Sequence, residues 1–373
     1  MKIGIDARTL YAPVLKGIGV YLQNLLGAMI RLEPSAEFYL YYDARQKTVN
    51  RRPVSSKVFE RGVVFPTGDR FHCWEQLALP RALSKDRVSL LHSPANTTCL
   101  FWKGPRVVTV HDTTIQERKD KTRIDQLYYN TFQPRVLRCS DLICTVSHFS
   151  KGNIEKILGI PGDKIRVIHN GISPAFRMLG DEAAVDGVKA KFGIKGDYIF
   201  NAGGESPWKN VPRLIEAFAS LEGQESLVIT GIRSEKIRAE LMTRVHVLGL
   251  MGRVHLLTYV TAEELIALYN GAVIFVYPSL LEGFGFPPLE AMACGTPVAA
   301  SDAASIPEVT GEAALLFDGT RAGEIASAMQ KLLQDKTLRD KYRARGFERA
   351  RQFTWQENAK QTLAVYREVL REK

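Results

Sequence analysis

Short apolar runs alternate along this chain with longer stretches in which apolar residues recur every three or four positions. In the first half the runs fall at 2–5, 38–42, 88–92, 106–111, 142–146 and 165–169. Residues 19–32 lie between two of them and carry apolar side chains at 22, 25, 26, 29 and 30, the spacing of a helix with one buried face. A polar stretch at 170–195 reads as a linker, after which the runs resume at 198–202, 226–230, 254–257, 273–277 and 298–300. From Asp318 the pattern is helical and polar. The tail from Trp355 is amphipathic, with Leu363, Tyr366, Val369 and Leu370 on one face. Such alternation predicts α/β architecture, with parallel strands and helices on both faces of the sheet. The restart predicts two doubly wound, Rossmann-like domains at 1–172 and 173–354, with a central cleft between their strand ends. The tail at 355–373 either crosses back to the first domain or packs on the second.

Composition narrows the class. A chain of 373 residues suits two cores. Its 45% hydrophobic and 24% charged residues are those of a soluble globular protein. No apolar run approaches the roughly 20 residues that span a bilayer. The opening MKIGIDART reads as a buried strand, with Asp6 too early for the apolar region of a signal peptide. Five cysteines, at 73, 99, 139, 144 and 294, form no C-x-x-C pair and read as reduced, cytoplasmic thiols. The formal charge of +10 is one-sided: residues 1–172 hold 26 Lys+Arg against 15 Asp+Glu, a net of +11, leaving −1 for the rest. A basic half suits an anionic membrane surface or a phosphorylated lipid as well as a solvated face. Its clusters are short, as at Arg51-Arg52 and at Lys119, Lys121 and Arg123. No nucleic-acid motif accompanies them, so no nucleic-acid partner is expected.

The chemistry concentrates at 273–302, VIFVYPSLLEGFGFPPLEAMACGTPVAASD. A strand ends at Tyr277, a loop carries Glu282, Gly283, Phe284 and Gly285, and a short helix follows Pro287-Pro288. The amides of a glycine loop and a helix start favour an anion, while Glu282 and Glu290 favour hydroxyls. A sugar nucleotide offers both. An ordinary structural reading also fits: Pro288 at a first helical position would put Glu290 in the first turn, where an acid favours the helix dipole. A second turn, Asn201 to Asn210, joins a strand to a helix. Gly203 and Gly204 let backbone approach a diphosphate there, and Lys209 supplies a compact cation. Glu205 must then point away from the phosphates. In the first half, Gly17 and Gly19 form a glycine turn before a helix, and His111 and Asp112 end a strand. No D-x-D pair beside a strand, H-x-x-x-H or zinc-spaced cysteine pair is present, nor a G-x-S-x-G elbow.

Glu282, seven residues and Glu290, within EGFGFPPLEAMACGTPVAAS, resemble the signature of the retaining glycosyltransferases of family 4, whose two-domain fold is GT-B. The likeness extends over nearly the whole chain and is strongest at 199–318. TVHD and YYNTFQPRVLRCSDLICTVS, then VIHNGISPAF, resemble bacterial mannosyl- and rhamnosyltransferase-like members that build surface polysaccharides. The resemblance implies a final helix crossing back to the first domain. It also implies metal-independent transfer of a hexose, with retained configuration, from a nucleotide diphosphate sugar to a saccharide or lipid-linked acceptor, at the cytoplasmic face of a membrane. No cofactor is implied, and GDP-mannose is the leading donor. Lys209, Gly203, Gly204, Phe284 and Gly285 would hold the diphosphate and Glu290 the ribose. Glu282 and His111 would face the donor sugar, and Gly17 and Gly19 the phosphate and acceptor. Trp208 stands where one subgroup of the family has Arg, and Gly203 where other members carry one, so a diphosphate cation is missing. Two other activities fit the same pattern, a nucleotide-sugar 2-epimerase and an inactive sugar-nucleotide-binding subunit.

Overall fold

Strands buried on both faces by helices carry near-continuous apolar side chains, and the runs above become such strands in the computed structural model. Residues 1–15, 17–45, 55–66, 72–113 and 127–371 are described. The basic clusters at Arg51-Arg52 and at Lys119, Lys121 and Arg123, like Lys16, lie outside them. The chain divides into two units, Met1–Gly171 with Thr354–Lys373, and Ile172–Phe353.

The first unit holds a seven-stranded parallel sheet in the order β3-β2-β1-β4-β5-β6-β7. Its strands are β1 (Lys2–Asp6), β2 (Glu37–Asp43), β3 (Val58–Val63), β4 (Leu90–Ser93), β5 (Arg106–Val110), β6 (Leu142–Thr145) and β7 (Ile165–Val167). β3 escaped the sequence pattern because it is an edge strand: its VFERGV pairs with β2 alone and stays half-exposed. The helix Gly17–Leu32 buries Tyr21, Leu22, Leu25, Leu26 and Met29, and it starts two residues before the periodic stretch.

The C-terminal helix, Trp355–Arg371, belongs to this unit and packs on the helix Gly17–Leu32. It buries Leu363, Tyr366 and Val369, while Leu370 is half-buried. Its anchor is polar as well as apolar. Tyr366 Oη shares a hydrogen bond with Nδ1 of buried His92 at 2.6 Å, and His92 Nε2 meets Thr109 Oγ1 at 2.8 Å. Burial depresses the His92 imidazole to about 3, which keeps it neutral between those partners.

The second unit holds a six-stranded parallel sheet in the order β10-β9-β8-β11-β12-β13. Its strands are β8 (Tyr198–Asn201), β9 (Ser226–Thr230), β10 (Val254–Leu257), β11 (Ile274–Tyr277), β12 (Val298–Ser301) and β13 (Ala314–Phe317). β13 is absent from the runs above: it is an edge strand that pairs with β12 alone and leaves Leu316 exposed. The helix Val211–Ala219 buries Val211, Leu214, Ile215 and Phe218 against the sheet at helical spacing. The helix Glu182–Phe192 has no buried residue, as its polar sequence predicts. Strand order reverses between β8 and β11, so the crevice favoured for ligands in open α/β sheets lies beyond their carboxyl ends. Gly203, Gly204 and Lys209 follow β8, and Glu282 follows β11.

Candidate active site

The turn after β8 is built to hold one shape. Asn201 Nδ2 donates to the Val276 carbonyl at 2.8 Å, and its Oδ1 accepts from the Gly203 amide at 3.0 Å. Gly204 has φ +76°, a conformation that glycine adopts without strain. A Cβ on Gly231, at the end of β9, would lie 2.9 Å from Gly204 Cα, so the two backbones touch. Lys209 ends a single 3-10 turn, Pro207–Lys209. Asn210 then takes φ +61° and donates to the carbonyls of Gly319 at 2.7 Å and Pro278 at 3.2 Å. Trp208 faces the same loop through its backbone, its carbonyl accepting from the Leu280 amide at 2.8 Å.

These bonds bring Lys209 onto the loop after β11. Its ammonium meets Glu282 Oε1 at 2.7 Å and Tyr277 Oη at 2.7 Å. Tyr277 Oη donates to the same oxygen at 2.8 Å, as does Ser279 Oγ at 2.5 Å. All three donors converge on Oε1, and Oε2 takes no protein donor among the described residues. The phenol of Tyr277 is held protonated by burial and by the carboxylate beside it. Ser305 Oγ donates to the carbonyls of Glu282 and Phe284 at 3.0 and 2.8 Å, which pins the loop from below.

The following helix is Phe286–Ala293, capped by Gly285 at φ +103°. It starts two residues before Pro288, which is therefore not the first helical residue, and Glu290 lies beyond the first turn. Pro287 and Pro288 have no N–H, so the donors that this helix start can offer an anion are the Phe286 amide and those of the loop. Glu290 Oε2 instead accepts from Tyr269 Oη at 2.9 Å. Burial pushes the Glu290 carboxyl up to about 7, against the lowering pull of Tyr269 and Lys209.

Gly203, Gly204 and Glu290 line one cavity of about 480 Å³, within the range of small-molecule sites. Glu205 also borders it, but its carboxylate turns to the backbone, accepting from the amides of Arg233 at 2.9 Å and Ser234 at 2.6 Å. Arg233 and Tyr259 line the cavity as well, and the sequence marked neither side chain for a role. A lone Arg or Tyr on a turn carries no pattern; only the sheet order places both beside Gly204.

In the first unit, Gly17 and Gly19 lie in the first turn of the helix Gly17–Leu32 rather than in a loop before it. A Cβ on Gly19 would lie 2.6 Å from the Thr9 carbonyl oxygen, a packing reason for glycine there. His111 lies just beyond β5, its amide donating to Asn96 Oδ1 at 2.8 Å. Its Nε2 donates to the Pro94 carbonyl at 3.0 Å, so the neutral ring keeps Nδ1 as an acceptor. Burial lowers its basicity and favours that neutral form.

Among the described residues no group of three or more His, Cys, Asp or Glu is placed to hold a metal ion. Nor is any helix there long and apolar enough to cross a membrane.

Two family models match the chain: Glycosyltransferase Family 4 over residues 15–176 and Glycosyl transferases group 1 over residues 188–349. O-antigen chain mannosyltransferase B of Escherichia coli is 33% identical over 274 residues, 70% of this chain and 70% of that protein. The serotype-specific mannosyltransferase WbdA of Escherichia coli is 29% identical over 226 residues, 59% of this chain but only 28% of that longer protein. Among solved structures, sucrose-phosphate synthase from Thermosynechococcus elongatus superposes with a TM-score of 0.80 at 19% identity, covering 100% of both chains. HepE of Anabaena, solved with UDP and glucose, superposes with a TM-score of 0.74 at 19% identity, over 98% of this chain and 100% of that one. The fold is GT-B.

Proposed function

The chain belongs to glycosyltransferase family 4, and on that premise we propose that it moves a mannose or related hexose from a nucleotide diphosphate sugar to a saccharide or lipid-linked saccharide in surface polysaccharide synthesis. GDP-mannose is the leading donor. Transfer keeps the anomeric configuration and needs no metal ion. The mannosyltransferase relatives support the sugar and the setting, and the UDP-bound fold neighbour supports a nucleotide donor.

The observation that carries this reading is the Lys209–Glu282 pair beside the glycine turn. Without donor, the ammonium and the carboxylate satisfy each other, which avoids an unpaired half-buried charge. With donor, Lys209 turns to a phosphate oxygen and Glu282 accepts from hydroxyls of the sugar through the oxygen that has no protein donor. Gly203, Gly204, Gly283, Phe284 and Gly285 bring backbone close to the diphosphate, and Glu290 accepts from the ribose. Contacts that strengthen as the diphosphate departs accelerate the reaction, while equal contacts to the ground state do not. His111 is proposed to accept from a sugar hydroxyl at Nδ1, and Gly17 and Gly19 to serve the phosphate and acceptor. The acceptor hydroxyl then attacks from the leaving group's own face and loses its proton to the departing phosphate.

A thermal-shift screen with GDP-mannose, UDP-glucose, dTDP-rhamnose and ADP-glucose tests the donor. A ligand that binds only the folded state raises the melting temperature. GDP-mannose is expected to give the largest rise, in EDTA as well as in magnesium, and Lys209→Ala to remove it. A larger rise with another sugar nucleotide overturns the donor assignment, and a rise that requires magnesium overturns metal independence.

A further inference from the structure

In the first unit, β4 and β5 pair in parallel, and Asn96 and His111 follow their carboxyl ends. Asn96 takes φ +62°, a left-handed conformation that a short polar side chain tolerates better than most. Its turn is tied down on several sides. The Asn96 amide donates to the Thr109 carbonyl at 3.0 Å, and the Asn96 carbonyl accepts from Gln133 Nε2 at 2.5 Å. Next to it, Thr97 Oγ1 and Tyr128 Oη share a hydrogen bond at 2.6 Å. The His111 ring is held as firmly, edge-on to buried Tyr21 with centroids 4.7 Å apart.

The hydrogen bonds of these two residues settle which atoms they have left to offer. A backbone N–H only donates, so the Asn96 atom 2.8 Å from the His111 amide is the oxygen Oδ1. The other end of the carboxamide, Nδ2, takes no protein acceptor among the described residues. A backbone carbonyl only accepts, so His111 Nε2 carries the hydrogen that meets Pro94, and Nδ1 keeps a lone pair. That lone pair has no protein donor among the described residues either. Both side chains are half-buried. One donor and one acceptor thus stand on a shared frame, and the bond between the two residues sets their relative position.

We propose that Asn96 is a second sugar-reading residue, its Nδ2 donating to a hydroxyl oxygen of the donor hexose while His111 Nδ1 accepts from a hydroxyl. This inference rests on the reading that places the sugar by His111. A hydroxyl both donates and accepts, so a paired donor and acceptor suit a polyol better than either alone. A site built to bond hydroxyls also discriminates strongly against ligands that lack them. Asn96 therefore contributes to selectivity for the sugar and nothing to affinity for the bare nucleotide.

Isothermal titration calorimetry of the full chain with GDP-mannose and with GDP tests this. Asn96→Asp keeps an oxygen for the His111 amide and tolerates the left-handed turn, but it removes the Nδ2 donor. It is expected to weaken GDP-mannose about tenfold, the scale of one lost hydrogen bond, and to leave GDP unchanged. Asn96→Gly keeps the turn and loses both ends of the amide, and it is expected to weaken GDP-mannose further, again with GDP unchanged. Undiminished GDP-mannose affinity in Asn96→Asp overturns the proposal. If Asn96→Gly alone then lost affinity, Asn96 would act only by positioning His111. An equal loss of GDP and GDP-mannose in Asn96→Asp also overturns it, since the sugar would not be what Asn96 reads. Wild-type affinity for GDP-mannose in His111→Ala removes the reading that puts the sugar there, and this inference with it. Loss in His111→Ala without loss in Asn96→Asp removes the second residue alone.

Discussion

Glu290 carries a conflict between stability and binding. Its carboxyl, pushed up to about 7 by burial, is neutral in the empty fold at mildly acidic pH. A group whose folded pKa lies above its unfolded value stabilises the fold below the unfolded value and loses that contribution as pH rises through the folded one. For Glu290 the window runs from 4.5 to about 7. Glu290→Gln imitates the neutral acid. Its melting temperature is expected to exceed that of the wild type at pH 8 and to equal it near pH 5. Its nucleotide-induced shift is expected to vanish at both, since an amide cannot replace a carboxylate under two ribose hydroxyls. Differential scanning calorimetry with and without GDP reads both effects. A Glu290→Gln variant less stable than wild type at pH 8 would show that the charged carboxylate supports the empty fold instead. Much of this was legible in the sequence, because Glu282, Glu290 and the glycines form one local string. The more distant hydroxyls were not, since Tyr269 reaches Glu290, and Ser305 the Glu282 carbonyl, only through the fold.

At the scale of elements, the C-terminal helix shows what periodicity can and cannot say. Its apolar face was plain, but an amphipathic helix packs on any complementary surface, and only distant residues choose which. Here the choice is made by Tyr366 on His92, by Asn358 Nδ2 donating to the His169 carbonyl at 2.8 Å, and by the ion pair of Arg367 with Glu33. Gly171 completes it, since a Cβ there would lie 2.1 Å from the Trp355 amide nitrogen. Tyr366→Phe leaves buried His92 Nδ1 without its hydrogen-bond partner, and urea denaturation is expected to show a loss of about 1–3 kcal/mol. Gly171→Ala is expected to cost at least as much by forcing backbone from backbone. Unchanged stability in both would mean that the helix is held by its apolar face alone. The strands β3 and β13 mark the opposite limit. Two edge strands that stay partly exposed carry too little pattern to be seen before pairing is known.

Across the whole molecule, two parallel sheets could be read from the sequence because strands buried on both faces leave continuous apolar runs. The charge asymmetry is equally plain there, and its use is a separate matter. We propose that the excess of positive charge in residues 1–172 draws the protein to an anionic membrane where a lipid-linked acceptor would reside. Co-sedimentation with vesicles of phosphatidylcholine alone or with phosphatidylglycerol tests it. Binding is expected only to the anionic vesicles, and it should fade as salt shortens the Debye length from about 10 Å at 0.1 M toward about 3 Å at 1 M. Equal binding to neutral vesicles, or none to either, would count against it.

The central claim is that the Lys209–Glu282 contact opens to admit a sugar nucleotide. A crystal structure of the protein with GDP-mannose tests it most directly. The account predicts the ligand in the cavity of Gly203, Gly204 and Glu290, with Lys209 Nζ about 3 Å from a phosphate oxygen and Glu290 under the ribose. A nucleotide bound elsewhere, with Lys209 still on Glu282, would contradict it.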